Sequence, residues 1–316
     1  MELTDLICPA CSRPLQAKNL HEPRSAPIKC LCGAAYPILN DIVRFVDSQE
    51  YAGSFGFQWN TFDVQRIDED REIFKVKTSV TPDELKGLKV LDAGCGGGRY
   101  AFVVGRAGAQ LDAIDLSSAV EKAKGLCYAL DNVRIVQGDL LNLPYKPASF
   151  DFVYSIGVLH HTPDTKKAFQ SVARLVKPGG RLAVWIYRKN TWPQEAINTS
   201  LRAVTSRLPH WLLKPLMVGV GAGLGGIPVV NSTLARVVSF GSSVPDWRLR
   251  ACDAFDWYAP KFQFHHTPEE VRGWYEEEGF RDIKFLRPQK SGKLYDWAYD
   301  KSLLNGSGVN FVGVKK

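Results

Sequence analysis

The sequence lacks an uninterrupted apolar stretch of about 20 residues, the length that a membrane-spanning helix needs. Its amino terminus also lacks the charged and then apolar pattern of a secretory signal. No run of like charge is long enough to form a nucleic-acid-binding tail, and the net charge of +7 is a modest basic excess. These absences predict a cytoplasmic protein without a transmembrane segment. The basic excess is either ordinary solubility charge or a nucleic-acid surface.

Seven cysteines, an odd number, argue against a secreted disulfide framework and for a reducing compartment. Two short knuckles near the amino terminus, CPAC and CLCG, carry four of them. Four thiolates on tight turns suit tetrahedral Zn²⁺. So short a segment has too small a hydrophobic core to fold without a stabilising metal ion. The second knuckle has one spacer residue where two are usual, and a redox switch is the alternative. We predict a structural zinc site at Cys8, Cys11, Cys30 and Cys32.

Residues 90–99, VLDAGCGGGR, combine a strand, a glycine-rich turn and the start of a helix. The turn contains Gly94, Gly96 and Gly98, so bare backbone can lie against a ligand at a helix N-terminus. Arg99 stands where a nicotinamide-type fingerprint needs a small residue. The loop therefore predicts a nucleoside-containing ligand other than a nicotinamide dinucleotide.

Acidic residues end the next two predicted strands. Asp115 lies about 20 residues after the loop and suits two ribose hydroxyls, while Asp139 is placed to accept from an adenine amino group. Residues 150–155 form a fourth strand, and polar or glycine residues follow it. The carboxyl ends of parallel strands meet at one edge of the sheet, so the ligand is expected there.

Five stretches resemble the ordered motifs of class I S-adenosylmethionine-dependent methyltransferases: LDAGCGGGR, AIDLS, QGDLLNLP, FDFVYSIGVLHHTPD and RLVKPGGRLAVWIY. The resemblance covers roughly residues 86–188. It implies an α/β fold with a Rossmann-like, doubly wound sheet of seven strands. It also implies S-adenosylmethionine as the cofactor and direct displacement at its sulfonium methyl group as the reaction.

The resemblance implies cofactor roles for particular residues. The loop glycines would line the methionine and ribose part, with Asp92 beneath them holding the amino group through the loop. Asp115 would bind the ribose hydroxyls and Leu116 would pack on the adenine, whose edge Asp139 and Leu140 would bracket. The alternative is that these acidic residues are solvent-exposed carboxylates in turns and bind no cofactor. Near the methionine end the implied residues are Ser155 and Gly157.

Composition divides the chain into five parts. We predict a zinc-ribbon-like segment at 1–48, an aromatic linker or lid at 49–85 and the cofactor half of the core at 86–188. A helical cap insertion follows at 189–266, before the last core helix. The closing helix and strands occupy 267–316, where Thr-Pro begins the helix and Gly279 ends it. The closing strands are predicted at 282–287 and 310–315.

Several of these segments have two interpretations. The linker around Gln58 either covers the cofactor as a lid or only docks on the core. Residues 211–227 are apolar enough to contact a membrane or a lipid-like acceptor, but Pro215 and many glycines favour a helical cap. Residues 253–266 combine aromatic and polar groups that suit an acceptor pocket or an anchor for the insertion. Residues 36–46 are predicted as a strand pair.

An oxygen or carbon acceptor must lose a proton, and an imidazole suits that task. Among four clustered histidines we predict His161 and His265 as candidate bases, with His160 and His266 as neighbours. His161 precedes a Thr-Pro turn at the end of the fourth strand, where the methyl group should lie. The alternative is that the paired histidines only shape this loop.

The leading hypothesis is methyl transfer to an oxygen, nitrogen or carbon of a small-molecule, sugar or lipid-linked acceptor. The alternative is a methyltransferase of RNA (rRNA or tRNA) or a translation factor, because the ribbon resembles small zinc-ribbon proteins that activate or dock onto such enzymes. Residues 155–158, SIGV, stand where methyltransferases of exocyclic amines carry Asp/Asn-Pro-Pro-Tyr. This argues against methylation of adenine or glutamine amino groups but does not exclude ring-nitrogen or ribose methylation of RNA. The intact acids and glycines argue against a third reading, an inactive cofactor-binding scaffold. Peripheral membrane contact and the oligomeric state stay open.

Overall fold

The computed structural model describes residues 6–15, 26–46, 52–61, 67–223, 247–287 and 308–316. Its strands are β1 Ile28–Lys29, β2 Ala35–Tyr36, β3 Ile38–Leu39, β4 Ile42–Arg44, β5 Lys89–Ala93, β6 Gln110–Asp115, β7 Val133–Gln137, β8 Phe150–Ile156, β9 Val176–Tyr187, β10 Phe280–Phe285 and β11 Gly308–Lys315. Its helices are α1 Gly53–Thr61, α2 Ile67–Thr78, α3 Arg99–Arg106, α4 Val120–Leu126, α5 Thr165–Ala173, α6 Trp192–Thr205, α7 His210–Ala222, α8 Trp247–Tyr258 and α9 Pro268–Glu277.

A mixed sheet forms the centre of the fold, in the order β10-β11-β9-β8-β5-β6-β7-β4-β3. Strands β5 to β9 are joined by parallel pairings, whereas β11 runs antiparallel between β9 and β10. Parallel neighbours need crossover connections, and helices supply them here. The first seven strands of this order confirm the doubly wound, Rossmann-like class. The sequence predicts a sheet of seven strands, whereas the central sheet of the described residues has nine, because the amino-terminal segment adds β4 and β3 at one edge.

The amino-terminal segment is continuous with the main sheet. Strand β4 pairs in parallel with β7, with Val43 opposite Val136, and Leu6 forms an isolated bridge with Tyr145. Apolar residues from this segment also join the principal core. This short segment has too few apolar residues to form a core by itself, and its apolar side chains therefore pack against the main sheet. The predicted strand pair at 36–46 therefore forms as an edge of the sheet rather than as a separate unit.

The insertion leaves and rejoins the core at one place. Arg188 and His266 form a parallel bridge, and the Lys189 N–H donates to the His266 carbonyl at 3.0 Å. Within its described part, α6, α7 and α8 surround a small core of their own that includes Leu213 and Phe255. None of the helices in the described ranges has the length and apolar character needed to cross a membrane.

The closing elements lie close to their predicted positions. The Thr267 hydroxyl accepts the Glu270 N–H at 3.2 Å, and the Glu270 carboxylate accepts the Thr267 N–H at 2.8 Å. This reciprocal capping box fixes the start of α9. Strands β10 and β11 both begin two residues earlier than predicted, at Phe280 and Gly308.

Candidate active site

A cavity of about 240 Å³ opens at the carboxyl ends of the parallel strands, the edge where open α/β sheets bind ligands. Its wall has two sides. Turns after β5, β6, β7 and β8 form the first, while α1, α2 and α8 contribute Phe55, Lys77 and Asp256 to the second. Of the residues with an implied cofactor role, six line this cavity: Gly94, Gly96, Asp115, Leu116, Leu140 and Gly157.

The other four residues with an implied cofactor role do not line the cavity. The Ser155 hydroxyl is buried and donates to the Ala93 carbonyl at 2.7 Å. Asp139 closes a turn by accepting a backbone N–H two residues further on. Gly98 has φ +86°, and a Cβ there would lie 2.8 Å from the Ala123 Cα, so this glycine permits close packing of α3 and α4. Asp92, the fourth, lies at the end of β5.

Asp92 is buried in a way that suppresses its charge. Its Oδ2 makes no hydrogen bond with any part of the chain that the structure describes. Burial raises the pKa of Asp92 to about 8; the neighbouring Tyr154 hydroxyl opposes this shift, and the nearby charge of Asp115 adds to it. A cation bound above the loop would favour the ionised form, which fits the amino group that the family resemblance assigns to this position.

Asp115 holds the shape of the glycine loop. Its Oδ2 accepts the Gly96 N–H at 2.8 Å, and its Oδ1 accepts the Ser117 N–H at 2.8 Å and hydroxyl at 2.6 Å. Burial raises the pKa of Asp115, although these hydrogen bonds favour the charged form. A carboxylate has about four acceptor positions, so Asp115 retains capacity for hydroxyl groups of a ligand.

The His161 imidazole lines the same cavity and has a defined tautomer. Its Nδ1 lies 3.0 Å from the Phe262 carbonyl oxygen, which can only accept, so Nδ1 carries the proton and donates it. Its Nε2 makes no hydrogen bond with the described residues and lies 3.9 Å from the Asp256 Oδ2. Burial lowers the pKa of His161 to about 4. The ring is therefore neutral at pH 7, with an acceptor lone pair on Nε2.

The other three histidines of the predicted cluster, His160, His265 and His266, do not line the cavity. His265 joins α6 to the segment before α9: its Nδ1 lies 2.7 Å from Glu195 and its Nε2 lies 3.0 Å from Gln263. His160 is fully buried with its ring centroid 4.0 Å from that of Tyr187. Both rings thus pack within the structure rather than in the cavity wall.

Lys77 is a cavity residue that sequence reasoning missed. Its Nζ lies 3.9 Å from the ring centroid of Trp185, and burial lowers the pKa of Lys77 to about 7. On α8, Asp256 accepts the Tyr187 hydroxyl at 2.6 Å, and Asp253 also lines the wall. The sequence indicates acceptor-pocket residues in 253–266, but nothing local to 67–78 marks Lys77, because that helix reads as an ordinary charged surface helix.

Helix α1 contributes to the cavity wall and packs on the cap, so its role as a lid over the cofactor stays a prediction. Phe55 and Gln58 line the cavity, and the Gln58 Nε2 lies 3.3 Å from the Cys252 Sγ. On its other side, the Phe57 ring packs 5.5 Å from that of Phe255. The remaining predicted linker aromatics either lie outside the described residues or have side chains that the structure does not describe.

The four knuckle cysteines converge. Their sulfur atoms all lie within 4.8 Å of one another, with Cys8 3.6 Å from Cys32 and Cys11 3.5 Å from Cys30. Tetrahedral Zn–S bonds of about 2.3 Å place sulfur atoms roughly 3.8 Å apart, so these spacings suit that ion. The Tyr36 hydroxyl lies 3.0 Å from the Cys8 Sγ and can donate to a thiolate there.

Comparison with known proteins gives a consistent result for the core. Residues 91–184 match a family model described as "Methyltransferase domain". A ubiquinone biosynthesis O-methyltransferase of Idiomarina loihiensis is 36% identical over 104 residues, which is 32% of this chain and 42% of that protein. The 27-O-demethylrifamycin SV methyltransferase of Amycolatopsis mediterranei is 36% identical over 129 residues, 37% of this chain and 47% of that protein.

The chain therefore spans less than half the length of these curated relatives. Among solved structures, phosphoethanolamine N-methyltransferase 2 of Haemonchus contortus in complex with S-adenosyl-L-methionine has a TM-score of 0.48 at 16% identity. That match covers 85% of this chain and 57% of the other. The cap and the cysteine knuckles fall outside residues 91–184 that the family model matches.

Proposed function

Because residues 91–184 belong to the class I S-adenosylmethionine-dependent methyltransferases, we propose that this chain transfers the methyl group of S-adenosylmethionine to an oxygen of a small-molecule acceptor. The observation that carries the proposal is the His161 imidazole, which lines the same cavity as the glycine loop and keeps a free lone pair on Nε2. The names of the curated relatives support an oxygen acceptor of small-molecule class.

The cofactor is proposed to lie along the first side of the cavity. Asp115 would bind its ribose hydroxyls, and Leu116 and Leu140 would pack on its adenine. Asp92 would act through the loop, since a cationic amino group above it restores the charge that burial suppresses. The acceptor would lie between this side and the residues of α1 and α8.

S-adenosylmethionine supplies an electrophilic methyl group, so the protein has to align the acceptor, take its proton and exclude water. His161 Nε2 would take the hydroxyl proton as the acceptor oxygen bonds to the methyl carbon and the bond from that carbon to sulfur breaks, which leaves S-adenosylhomocysteine as the second product. The Phe262 carbonyl holds the ring in the required tautomer, and the Asp256 carboxylate, 3.9 Å away, stabilises the imidazolium that forms. Phe55 limits the access of water from the side of α1.

The test uses radiolabelled S-adenosylmethionine and a lysate separated into small-molecule, lipid, RNA and protein fractions. We expect label in the small-molecule or lipid fraction, and a loss of about 10²-fold or more in His161→Gln, the range of general-base catalysis. His265→Gln is the matched control and should retain turnover, because that ring pairs with Glu195 away from the cavity. Both variants should bind S-adenosylhomocysteine normally.

Label in RNA or protein would contradict the proposed acceptor class and favour docking through the cysteine knuckles. Equal turnover in the two histidine variants would contradict the role of His161. A lipid-linked small molecule is the narrower proposal within the same class.

We also propose structural Zn²⁺ at Cys8, Cys11, Cys30 and Cys32, because four sulfur ligands leave no open position for catalysis. None of the seven cysteines forms a disulfide, which supports a reducing compartment such as the cytoplasm.

A further inference from the structure

Helix α7 of the cap exposes an apolar stripe. Its exposed residues are Trp211, Leu212, Pro215, Leu216 and Gly219, which recur at the spacing of one helix face. Leu213 and Met217 are buried on the other side. A surface helix normally turns polar residues to water, but no residue of this stripe is polar.

Helix α6 also exposes apolar residues, among them Trp192, Ala196, Leu201 and Val204. Its exposed residues include the polar Thr199 and Ser200, but none of them is charged. Trp192 is 82% exposed and Trp211 is 74% exposed, so most of the surface of these two large side chains is in contact with solvent. We call the exposed residues of α6 and α7 together the cap face. A patch of this kind marks an interaction surface.

The exposed charges in the described part of the cap are mostly basic. Lys189 lies just before α6, Arg207 between α6 and α7, and Arg248 at the start of α8, and all three are exposed. Of the acidic residues in the same part, Glu195 pairs with His265 and Asp256 lines the cavity, whereas Asp253 lines the cavity and is also exposed. An apolar and tryptophan-rich face with a basic rim is complementary to a surface that is apolar within and negative at its edge.

We propose that the cap face docks on an anionic lipid bilayer, with Trp192 and Trp211 at the boundary between headgroups and acyl chains. The helices would lie in the plane of the interface, as amphipathic helices do when basic residues flank an apolar face. Helix α8 packs on the buried side of α7, where Leu213 and Met217 share an apolar cluster with Phe255. Because Asp256 of α8 lines the cavity, docking would bring the acceptor side of the cavity close to the membrane.

Vesicle co-sedimentation of the full chain tests this proposal. We expect binding to vesicles that mix phosphatidylglycerol with phosphatidylcholine, and weaker binding to phosphatidylcholine alone. Combined Trp211→Ser and Leu216→Ser should weaken binding at least tenfold, because two large apolar side chains would no longer enter the acyl-chain region. Combined Lys189→Gln and Arg207→Gln should weaken binding to the mixed vesicles about tenfold or more.

Tyr128→Ser is the matched control, because Tyr128 is 83% exposed and lies outside the cap. It should bind vesicles like the wild type, and all variants should bind S-adenosylhomocysteine normally, which shows that they fold. Failure of the wild type to bind mixed vesicles, or an equal loss in Tyr128→Ser, would overturn the proposal. So would a stable dimer in sedimentation velocity that the Trp211→Ser and Leu216→Ser changes dissociate while vesicle binding is absent. These readouts do not depend on methyl transfer, so they are independent of the proposed activity.

Discussion

His160 and His161 are neighbours in the chain, yet their packing gives them different chemistry. The His160 ring is enclosed against Tyr187, whereas the His161 ring lines the cavity and donates through Nδ1 to the Phe262 carbonyl. The sequence favours His161 over His160 only because it precedes the Thr-Pro turn. The distinction depends on residue 262, about one hundred positions away, which only the folded chain brings near.

Asp92 gives a pH-dependent prediction at the residue scale. Its pKa is about 8 in the folded chain and about 4 when unfolded, so the folded state binds the extra proton between these values. Folding stability from this group therefore falls as pH rises through that range. We expect Asp92→Asn, which has no titrating proton, to gain up to about 1 kcal/mol per pH unit in unfolding free energy relative to wild type between about pH 5 and pH 7.

Denaturant unfolding at several pH values measures this difference. Parallel curves for Asp92→Asn and wild type would contradict the raised pKa. Ser155→Ala serves as the control, because it also removes a buried polar group at this edge of the sheet but does not titrate.

At the scale of elements, the sequence predicts helix and strand boundaries that depend on residues next to them in the chain. The Thr267 capping box begins α9 as expected, and the glycine turn separates β5 from α3. Helix α2 was not singled out, because residues 67–78 are mostly charged and few of them pack inward. Its role follows from Phe74, which is buried in the core, and from Arg99, which donates to the buried Asp70 carboxylate at 2.8 Å.

The glycine turn gives an element-scale prediction. Gly94 has φ +98°, and a Cβ there would lie 2.4 Å from both methyl carbons of Val158. We expect Gly94→Ala to cost about 1–3 kcal/mol in unfolding free energy and to weaken S-adenosylhomocysteine binding at least about tenfold, because the loop must shift. Isothermal titration and denaturant unfolding measure the two effects.

Gly125→Ala is the matched control for this substitution. Gly125 lies inside α4, and no atom lies within 4 Å of a Cβ built on it. Alanine there should stabilise the fold by about 0.5–1 kcal/mol and leave binding unchanged. Normal binding by Gly94→Ala would show that the turn tolerates a side chain, contrary to the geometry.

At the scale of the whole molecule, the cysteine knuckles are coupled to the sheet. The β4–β7 pairing and the Leu6–Tyr145 bridge join the amino-terminal segment to the core. Loss of the proposed Zn²⁺ should therefore lower the stability of the entire fold rather than melt a separate unit. A loss of 2 kcal/mol lowers Tm by about 4–8 °C in a domain near this size.

We expect about one Zn²⁺ per chain by elemental analysis, with little metal in Cys11→Ser, and a lower Tm in a single transition after chelation. Cys127→Ser is the control, because Cys127 is buried in the main core away from the knuckles and should not change metal content. Full metal content in Cys11→Ser, or a separate low-temperature transition after chelation, would contradict this coupling.

The sequence by itself determined the features that depend on short stretches of chain. These are the succession of core strands along the chain, the glycine turn, the two cysteine knuckles and the acids at the strand ends. Each follows from local backbone geometry or from a fixed spacing along a strand. Tertiary structure alone decided that β4 extends the sheet, that Lys77 enters the cavity and that His161 rather than His265 lines it. These features depend on contacts between residues distant in the chain, where burial and charge are set by packing rather than by neighbours in sequence.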